Sequence, residues 1–262
     1  MQVTVYGATG TFGSRLVTRL RAMGHSVIAA HRGIGVDTYT GDGVTEAAVG
    51  SDVLVDCVNL LTNNRHRALD FFSRSARSIA LAAAENPGAA MVCLSIAFKP
   101  TVAGSALFGY YQGKDMQERV YRRLVPADQL LMFRSTQWYE LAETASVSVG
   151  PVVFAPKMRV RALAADEAAR MMAEAIDDGE RGTVEVAGPE ISDLAAIARA
   201  VAEAEAGRTG ERTQGFGVGR RGRTRARRVV PVPIPGPTAG DGLIPESPRL
   251  STVTVDEWLA TR

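Results

Sequence analysis

A doubly wound parallel α/β sheet with a smaller C-terminal lobe is the fold that this 262-residue chain predicts. Three observations carry the prediction. A β-branched run at the N-terminus, Val3-Thr4-Val5-Tyr6, passes through a glycine-spaced turn into a helical apolar pattern at Leu16, Val17 and Leu20. Apolar strands and amphipathic helices then alternate to about residue 150, the order that gives right-handed crossovers and a parallel sheet. Beyond Gly150 the strands shorten and the pattern changes. The chain therefore reads as a core over 1–150 and a smaller lobe over 151–262, packed as one compact unit.

The turn, Gly7-Ala8-Thr9-Gly10-Thr11-Phe12-Gly13, has glycines every third residue, GxxGxxG rather than the usual GxGxxG. Gly7 suits a tight turn at the strand end, Gly10 lets backbone approach a pyrophosphate, and Gly13 lets the helix lie close on the strand. Backbone N–H groups and the positive dipole end of the helix would hold the phosphates. The core is thus expected to be a Rossmann-type dinucleotide-binding sheet, with Thr9, Thr11 and Phe12 in the cofactor-facing set beside the glycines.

The second strand, Ser26 to Ala30, ends in His31-Arg32-Gly33. No acid stands where one would bind the free ribose 2′-hydroxyl, and Arg32 is available for a 2′-phosphate, which favours NADP(H) over NAD. The Gly41-Asp42-Gly43 turn, with Asp42 in the cofactor set, leads to the apolar run Asp52–Val58, fit for a strand buried on both faces. Asn59 follows at its C-terminal end, where ligands of such sheets bind. Asn63 or Asn64 can cap the next helix, whose stripe is Leu69, Phe72, Ala76, Ile79, Ala80 and Ala83. The fourth strand, Ala90–Ser95, puts Ser95 at its end; a helix over about 109–124 and the strand Gln129–Arg134 complete the core.

In the second lobe Val152–Phe154, Met158–Val160 and Thr183–Val186 read as strands, and Asp166 and Ser192 as caps of two helices. Pro231–Pro237 reads as an extended surface segment, and Thr254 with Glu257 as a capping box. The stretch 207–228 holds eight arginines and six glycines with little apolar content, so a mobile solvated loop is expected. Arg220–Arg228 lacks an aromatic residue for stacking, which argues against a nucleic-acid partner.

Apolar residues at 46% and charged residues at 22% are ordinary for a globular protein, and the net charge of +2 selects no anionic partner. Cys57 and Cys93 lie in apolar runs with no CxxC, and His25, His31 and His66 lack metal-ligand spacing, so buried structural thiols and no metal are expected. Neither a signal peptide nor a membrane-length apolar run is evident, which makes a cytoplasmic location the expectation. Oligomeric state is not legible.

Tyr110-Tyr111-Gln112-Gly113-Lys114 carries the chemistry. Tyr110 and Lys114 are four apart and share a helix face, and the chain has only six tyrosines and three lysines. Their helix follows the strand ending in Ser95, so the three can converge at the C-terminal edge of the sheet.

With the glycine turn, with Arg134-Ser135-Thr136-Gln137-Trp138-Tyr139-Glu140 and with Trp258-Leu259, this stretch resembles the short-chain dehydrogenase/reductase superfamily. The nearest branch is the atypical, NmrA-like group of NAD(P)H-binding proteins, and the resemblance spans nearly the whole chain. It implies that Tyr110 protonates a substrate carbonyl as hydride arrives from the nicotinamide. Lys114 would lower the phenol pKa and bind the nicotinamide ribose, and Ser95 would orient the carbonyl. Tyr111 is the alternative phenol. Thr136, Gln137, Trp138 and Tyr139 follow a strand end beside the same crevice and are the candidate substrate wall, with Trp138 and Tyr139 equally suited to the core of the second lobe. The expectation is an NADPH-dependent reductase of a small carbonyl or enone substrate, the alternative a cofactor-sensing regulator without turnover.

Overall fold

The computed structural model describes residues 1–214 and 226–262. Its centre is a seven-stranded, all-parallel sheet. Strands β1 (Gln2–Tyr6), β2 (Ser26–Ala30), β3 (Val53–Asp56), β4 (Ala90–Ile96) and β5 (Leu130–Ser135) come from the first half of the chain. β6 (Val147–Val149), β7 (Val152–Lys157) and β8 (Arg159–Val160) follow outside the sheet, and then β9 (Gly182–Ala187) joins it. After β10 (Ser192–Asp193) and β11 (Arg228–Pro233), β12 (Arg249–Leu250) closes its edge, giving the order β12-β9-β5-β4-β3-β1-β2. The chain runs from β1 outward to β2 and then returns to the other side of β1 for β3. That reversal is a topological switch point, which opens a crevice at the C-terminal ends of β1 and β3.

Side-chain alternation divides the sheet into two cores. Val3, Val5, Val53, Val55, Val92, Leu131 and Phe133 face one way, onto α1 (Thr11–Ala22) and, later in the chain, the helix over Ala165–Asp177. Tyr6, Leu54, Met91, Cys93 and Met132 face the other way, onto α2 (Val44–Ala48), α3 (Arg65–Ala84) and, beyond the one-turn α4 (Pro100–Ala103), α5 (Gly109–Leu124). Both cysteines are free and buried. Two glycines on α5 let it close on α3: a Cβ at Gly113 would lie 2.5 Å from the Phe72 ring, and one at Gly109 would lie 2.8 Å from the Arg65 nitrogen.

A third core joins Tyr139, Val160, Leu194, Ile197, Val201, Leu243 and Trp258. It gathers α6 (Leu141–Thr144), α8 (Leu194–Gln214) and α9 (Val255–Ala260) around a three-stranded sheet, β11-β7-β6, and the β8/β10 pair, while α7 (Ala165–Asp177) belongs to the main sheet.

Several local readings are met. Asn64 accepts the Arg67 N–H at 3.0 Å as the α3 cap, and Thr254 and Glu257 form the capping box of α9. Others shift. Asp166 is not a cap but lies in the first turn of α7, paired with Arg19, while Ala164 holds the N-cap position. Ser192 lies in β10, and it is Asp193 whose carboxylate accepts the Ala195 N–H at 2.8 Å. The segment through Pro231 is β11, paired in parallel with β7. Of the stretch 207–228 expected as a mobile loop, 207–214 continue α8 and Arg228 opens β11, while 215–225 lie outside the described residues. Among the described residues, no helix is long and apolar enough to cross a membrane.

Candidate active site

A cavity of about 990 Å³ opens at the switch point, over the C-terminal ends of β1, β3, β4 and β5. Its size is at the upper end for a cleft that takes a small molecule or cofactor.

The glycine turn forms one wall. Gly7 has φ 76°, the left-handed region, and a Cβ there would meet the Cys57 carbonyl group at 2.9 Å. At Gly13 a Cβ would overlap Gly7 O, so α1 lies as close to the strand end as backbone permits. Gly10 is the N-cap of α1 and no side chain caps the helix, so its first-turn N–H groups are available to an anion. Gly7, Thr9, Gly10, Thr11 and Phe12 line the cavity; Gly13 acts from behind by its close packing. Phe12 stacks on Trp138, ring centres 5.3 Å apart and planes 17° apart.

At the far end the cavity reaches Arg32, exposed in a single 3₁₀ turn, Arg32–Ile34, which His31 caps by accepting the Gly33 N–H at 3.1 Å. The Arg32 guanidinium has no ion-pair partner among the described residues. The sequence reading found no acid here, yet the turn brings Asp37 to this end, where its Oδ1 accepts the Tyr39 N–H at 2.9 Å. Tyr39 and Phe71 stack at 6.0 Å, an aromatic pair beside the same end that sequence reasoning missed because α3 supplies one ring and a loop the other. Asp42 does not line the cavity; its carboxylate accepts the Thr40 hydroxyl at 2.7 Å. Arg15, also missed, reaches the cavity from α1 and lies 3.6 Å from Glu140. Its signal was its place in the second turn of the helix that follows the glycine turn.

Tyr110, Tyr111 and Lys114 bring α5 to the cavity wall. The Tyr110 hydroxyl donates to Asn59 Oδ1 at 2.9 Å, so the loop after β3 orients the phenol. Tyr111 is buried in an aromatic cluster with Phe98, Phe108 and Tyr110. Burial pushes the Tyr111 phenol up to about 12, opposed by the neighbouring Gln137 amide. Lys114 is 3% exposed, with Nζ donating to Leu94 O at 2.9 Å and to Gln117 Oε1 at 2.8 Å. It does not lower the Tyr110 phenol as the resemblance implied: burial dominates and pushes that phenol up.

Ser95 corrects a second expectation. It borders the cavity, but its hydroxyl donates to Glu118 Oε1 at 2.6 Å. Glu118 is also gripped by Arg134 Nη2 at 2.6 Å and Arg122 Nη2 at 2.9 Å. Burial alone would raise the Glu118 carboxyl, yet Arg134, Ser95 and Arg122 together hold it below its ordinary range. Thr136 is likewise engaged, donating to Arg161 O at 2.7 Å. Gln137 is held less firmly: it is 6% exposed, lines the cavity beside the Tyr111 phenol, and among the described residues neither amide atom has a well-formed hydrogen bond. A buried amide in that state has unmet capacity both to donate and to accept. Trp138 lines the cavity with Nε1 donating to Ser135 Oγ at 2.9 Å, whereas Tyr139 packs on Trp258 in the third core and donates to Val253 O.

No family model matches the chain, and no curated protein matches its sequence. Its structure is similar to dTDP-4-dehydrorhamnose reductase from Yersinia enterocolitica, with TM-score 0.64 and 14% identity over 96% of this chain and 90% of that one. UDP-glucose 4-epimerase from Thermus thermophilus, solved in complex with NAD, gives TM-score 0.63 and 16% identity over 100% and 93% of the two chains. A short-chain dehydrogenase/reductase superfamily protein from Agrobacterium tumefaciens, solved with bound NAD, gives 0.64 and 16% over 100% and 95%. At these identities the likeness establishes the fold alone, a Rossmann-type parallel α/β sheet shared with these three proteins.

Proposed function

We propose that this chain is an NADP(H)-dependent oxidoreductase that reduces a small carbonyl or enone substrate. One observation carries the reading. Tyr110 and Lys114 open onto the same cavity as the uncapped N-terminus of α1, so a proton donor and an anion cradle share one site at the switch point. The residues fit a nicotinamide dinucleotide: glycines where a Cβ would obstruct, a free helix start for the pyrophosphate, and for a 2′-phosphate an Arg32 without an ion-pair partner among the described residues. The solved neighbours described as NAD-bound support that class of ligand.

The bound cofactor supplies a hydride. Asn59 holds the Tyr110 hydroxyl in place, and on substrate binding the O–H turns from Asn59 Oδ1 to the substrate oxygen and gives it the proton as negative charge develops there. Burial keeps that phenol protonated at neutral pH, the state a donor needs. Gln137 takes the orienting role that Ser95 does not fill, its open amide hydrogen-bonding a polar group of the substrate. Trp138 and Phe12 provide an apolar wall.

A second reading, a cofactor-responsive regulator, is favoured by the Ser95 hydroxyl being tied to Glu118. The two separate in one experiment. Purified protein is offered NADPH with a panel of ketones, aldehydes, enones and quinones, and nucleotide oxidation is followed by absorbance. The enzyme reading expects turnover that Tyr110→Phe lowers by about 10²–10⁴ with NADPH affinity little changed. Tight NADPH binding with no turnover across the panel would leave the regulator.

A further inference from the structure

Beneath the cavity, on the sheet face covered by α3 and α5, lies a line of buried polar groups that the proposed chemistry does not use. Asp56, the last residue of β3, is fully buried. Its Oδ1 accepts the Val58 N–H at 2.9 Å, and its Oδ2 accepts the Gln117 amide at 2.6 Å and the Tyr121 hydroxyl at 2.7 Å. All three neighbours donate, which is the shell of a carboxylate rather than of a neutral acid. Gln117, also fully buried, turns its carbonyl to Lys114 Nζ at 2.8 Å. The amide therefore lies with its NH₂ to the anion and its oxygen to the cation; turned over, it would meet like with like at both ends.

A buried charge without a partner is costly, and burial pushes Asp56 up and Lys114 down. Each opposes the other's drift. The remaining titratable groups around them leave Lys114 no better counter-charge. The thiols of Cys57 and Cys93 and the phenols of Tyr6 and Tyr121 are all pushed up by burial and stay neutral. Glu118, one turn along α5, is already held by Arg134 and Arg122. The Phe72 ring face, 4.9 Å from Nζ, adds a weaker attraction.

We propose that Asp56 and Gln117 are positioning residues for Lys114: the Asp56 carboxylate, acting through the Gln117 amide, holds the Lys114 side chain as an ammonium at the floor of the cavity. Its consequence for ligand binding rests on the reading that Lys114 serves the cofactor. The charge pairing itself does not.

The chain has three lysines, Lys99, Lys114 and Lys157, so protein labelled with lysine carrying ¹³C at the ε-carbon gives three side-chain signals to follow against pH. Lys114→Arg identifies the buried one. Asp56→Asn should lower the Lys114 midpoint by at least about one pH unit and leave Lys99 and Lys157 in place. Gln117→Leu should move it the same way. An unmoved Lys114 midpoint in Asp56→Asn overturns the proposal. Should Asp56→Asn fail to fold, Asp56→Asn/Lys114→Met decides: recovery of folding supports the pair, and continued failure makes Asp56 only an acceptor for Val58 and Tyr121. NADPH affinity, titrated by fluorescence, should weaken by about tenfold in Asp56→Asn. A shifted midpoint with unchanged affinity upholds the pair and removes Lys114 from the cofactor site.

Discussion

Gly10 and Gly13 sit three residues apart in one turn, yet they should fail in different ways when given a methyl group. At Gly13 the added Cβ would overlap Gly7 O and lie 2.9 Å from Gly7 C and 3.0 Å from Ala8 Cα, all backbone atoms that cannot rotate away. The helix start must move outward. With every clash on fixed backbone, the cost belongs in the upper part of the usual overpacking range, about 2–3 kcal/mol, against which the better helix propensity of Ala returns about 1 kcal/mol. A net loss of about 1–2 kcal/mol should lower the melting temperature by roughly 2–8 °C for a chain of this size. At Gly10 the nearest atom to the new Cβ is Gly7 O at 3.3 Å, and the backbone there has φ −74°, open to any residue. Stability should therefore change by less than about 1 kcal/mol. The methyl would instead stand where a pyrophosphate approaches, so NADPH affinity should fall by about tenfold or more. Differential scanning fluorimetry with and without NADPH, followed by calorimetric titration, reads both quantities. Wild-type NADPH affinity in Gly10→Ala would show that the phosphates lie elsewhere. An unchanged melting temperature in Gly13→Ala would show that the close approach of α1 to the β1 turn is not what limits its packing.

Three further outcomes follow from the same geometry. Arg32→Glu should weaken NADPH far more than NADH in parallel titrations, because only the 2′-phosphate needs that guanidinium; equal losses would remove the NADP(H) assignment, and Asp37 would then be the residue reading a free ribose. Tyr111→Phe should leave turnover within a few-fold of wild type, since its ring points about 100° from Tyr110 on α5 and is buried among aromatics; a collapse of turnover there, with Tyr110→Phe active, would shift the proton donor by one residue. Glu118 sits below its ordinary 4.5 when folded, so the stability it contributes is complete above that pH and is lost as pH falls through the lower folded value. Glu118→Gln should therefore lower stability at pH 7 and flatten the decline below about pH 4.5 in urea unfolding, whereas an unchanged acid limb would discount the Arg134 pairing.

What could be read from the sequence is what depends on neighbours along the chain. The glycine turn, the Asn64 cap, the Thr254/Glu257 box and the 109–124 helix are local patterns, and each stands where the residues put it. The doubly wound order follows from alternation and crossover handedness, which are nearly as local. Asp166 and Ser192 miss their caps by one or two residues, a local slip, whereas the failures that bear on chemistry are pairings across the fold. Ser95 lies at the strand end as expected, but whether its hydroxyl serves a ligand depends on Glu118, 23 residues on, and on Arg134 bringing charge to the same point. No spacing rule announces a bond between a strand and a helix that crosses it. Lys114 illustrates the same limit from the other side. Its distance from Tyr110 on the helix is legible, while its actual partners, Leu94 O and Gln117, arrive from β4 and from the next turn of α5. The Gln117 bond was within reach of sequence reasoning, since i and i+3 meet on a helix surface. The Asp56 carboxylate behind it was not, because only the pairing of β3 with β4 and the glycine-lined closure of α5 on α3 bring that strand end under the helix. Sequence therefore placed the candidate site at a sheet edge and a helix face, and tertiary packing decided which of its polar atoms are already engaged. Gln137 is the clearest consequence: in the sequence it is one of four consecutive wall candidates, and in the fold it is the one whose side-chain polar atoms lack a well-formed hydrogen bond, since Thr136, Trp138 and Tyr139 have each found a partner.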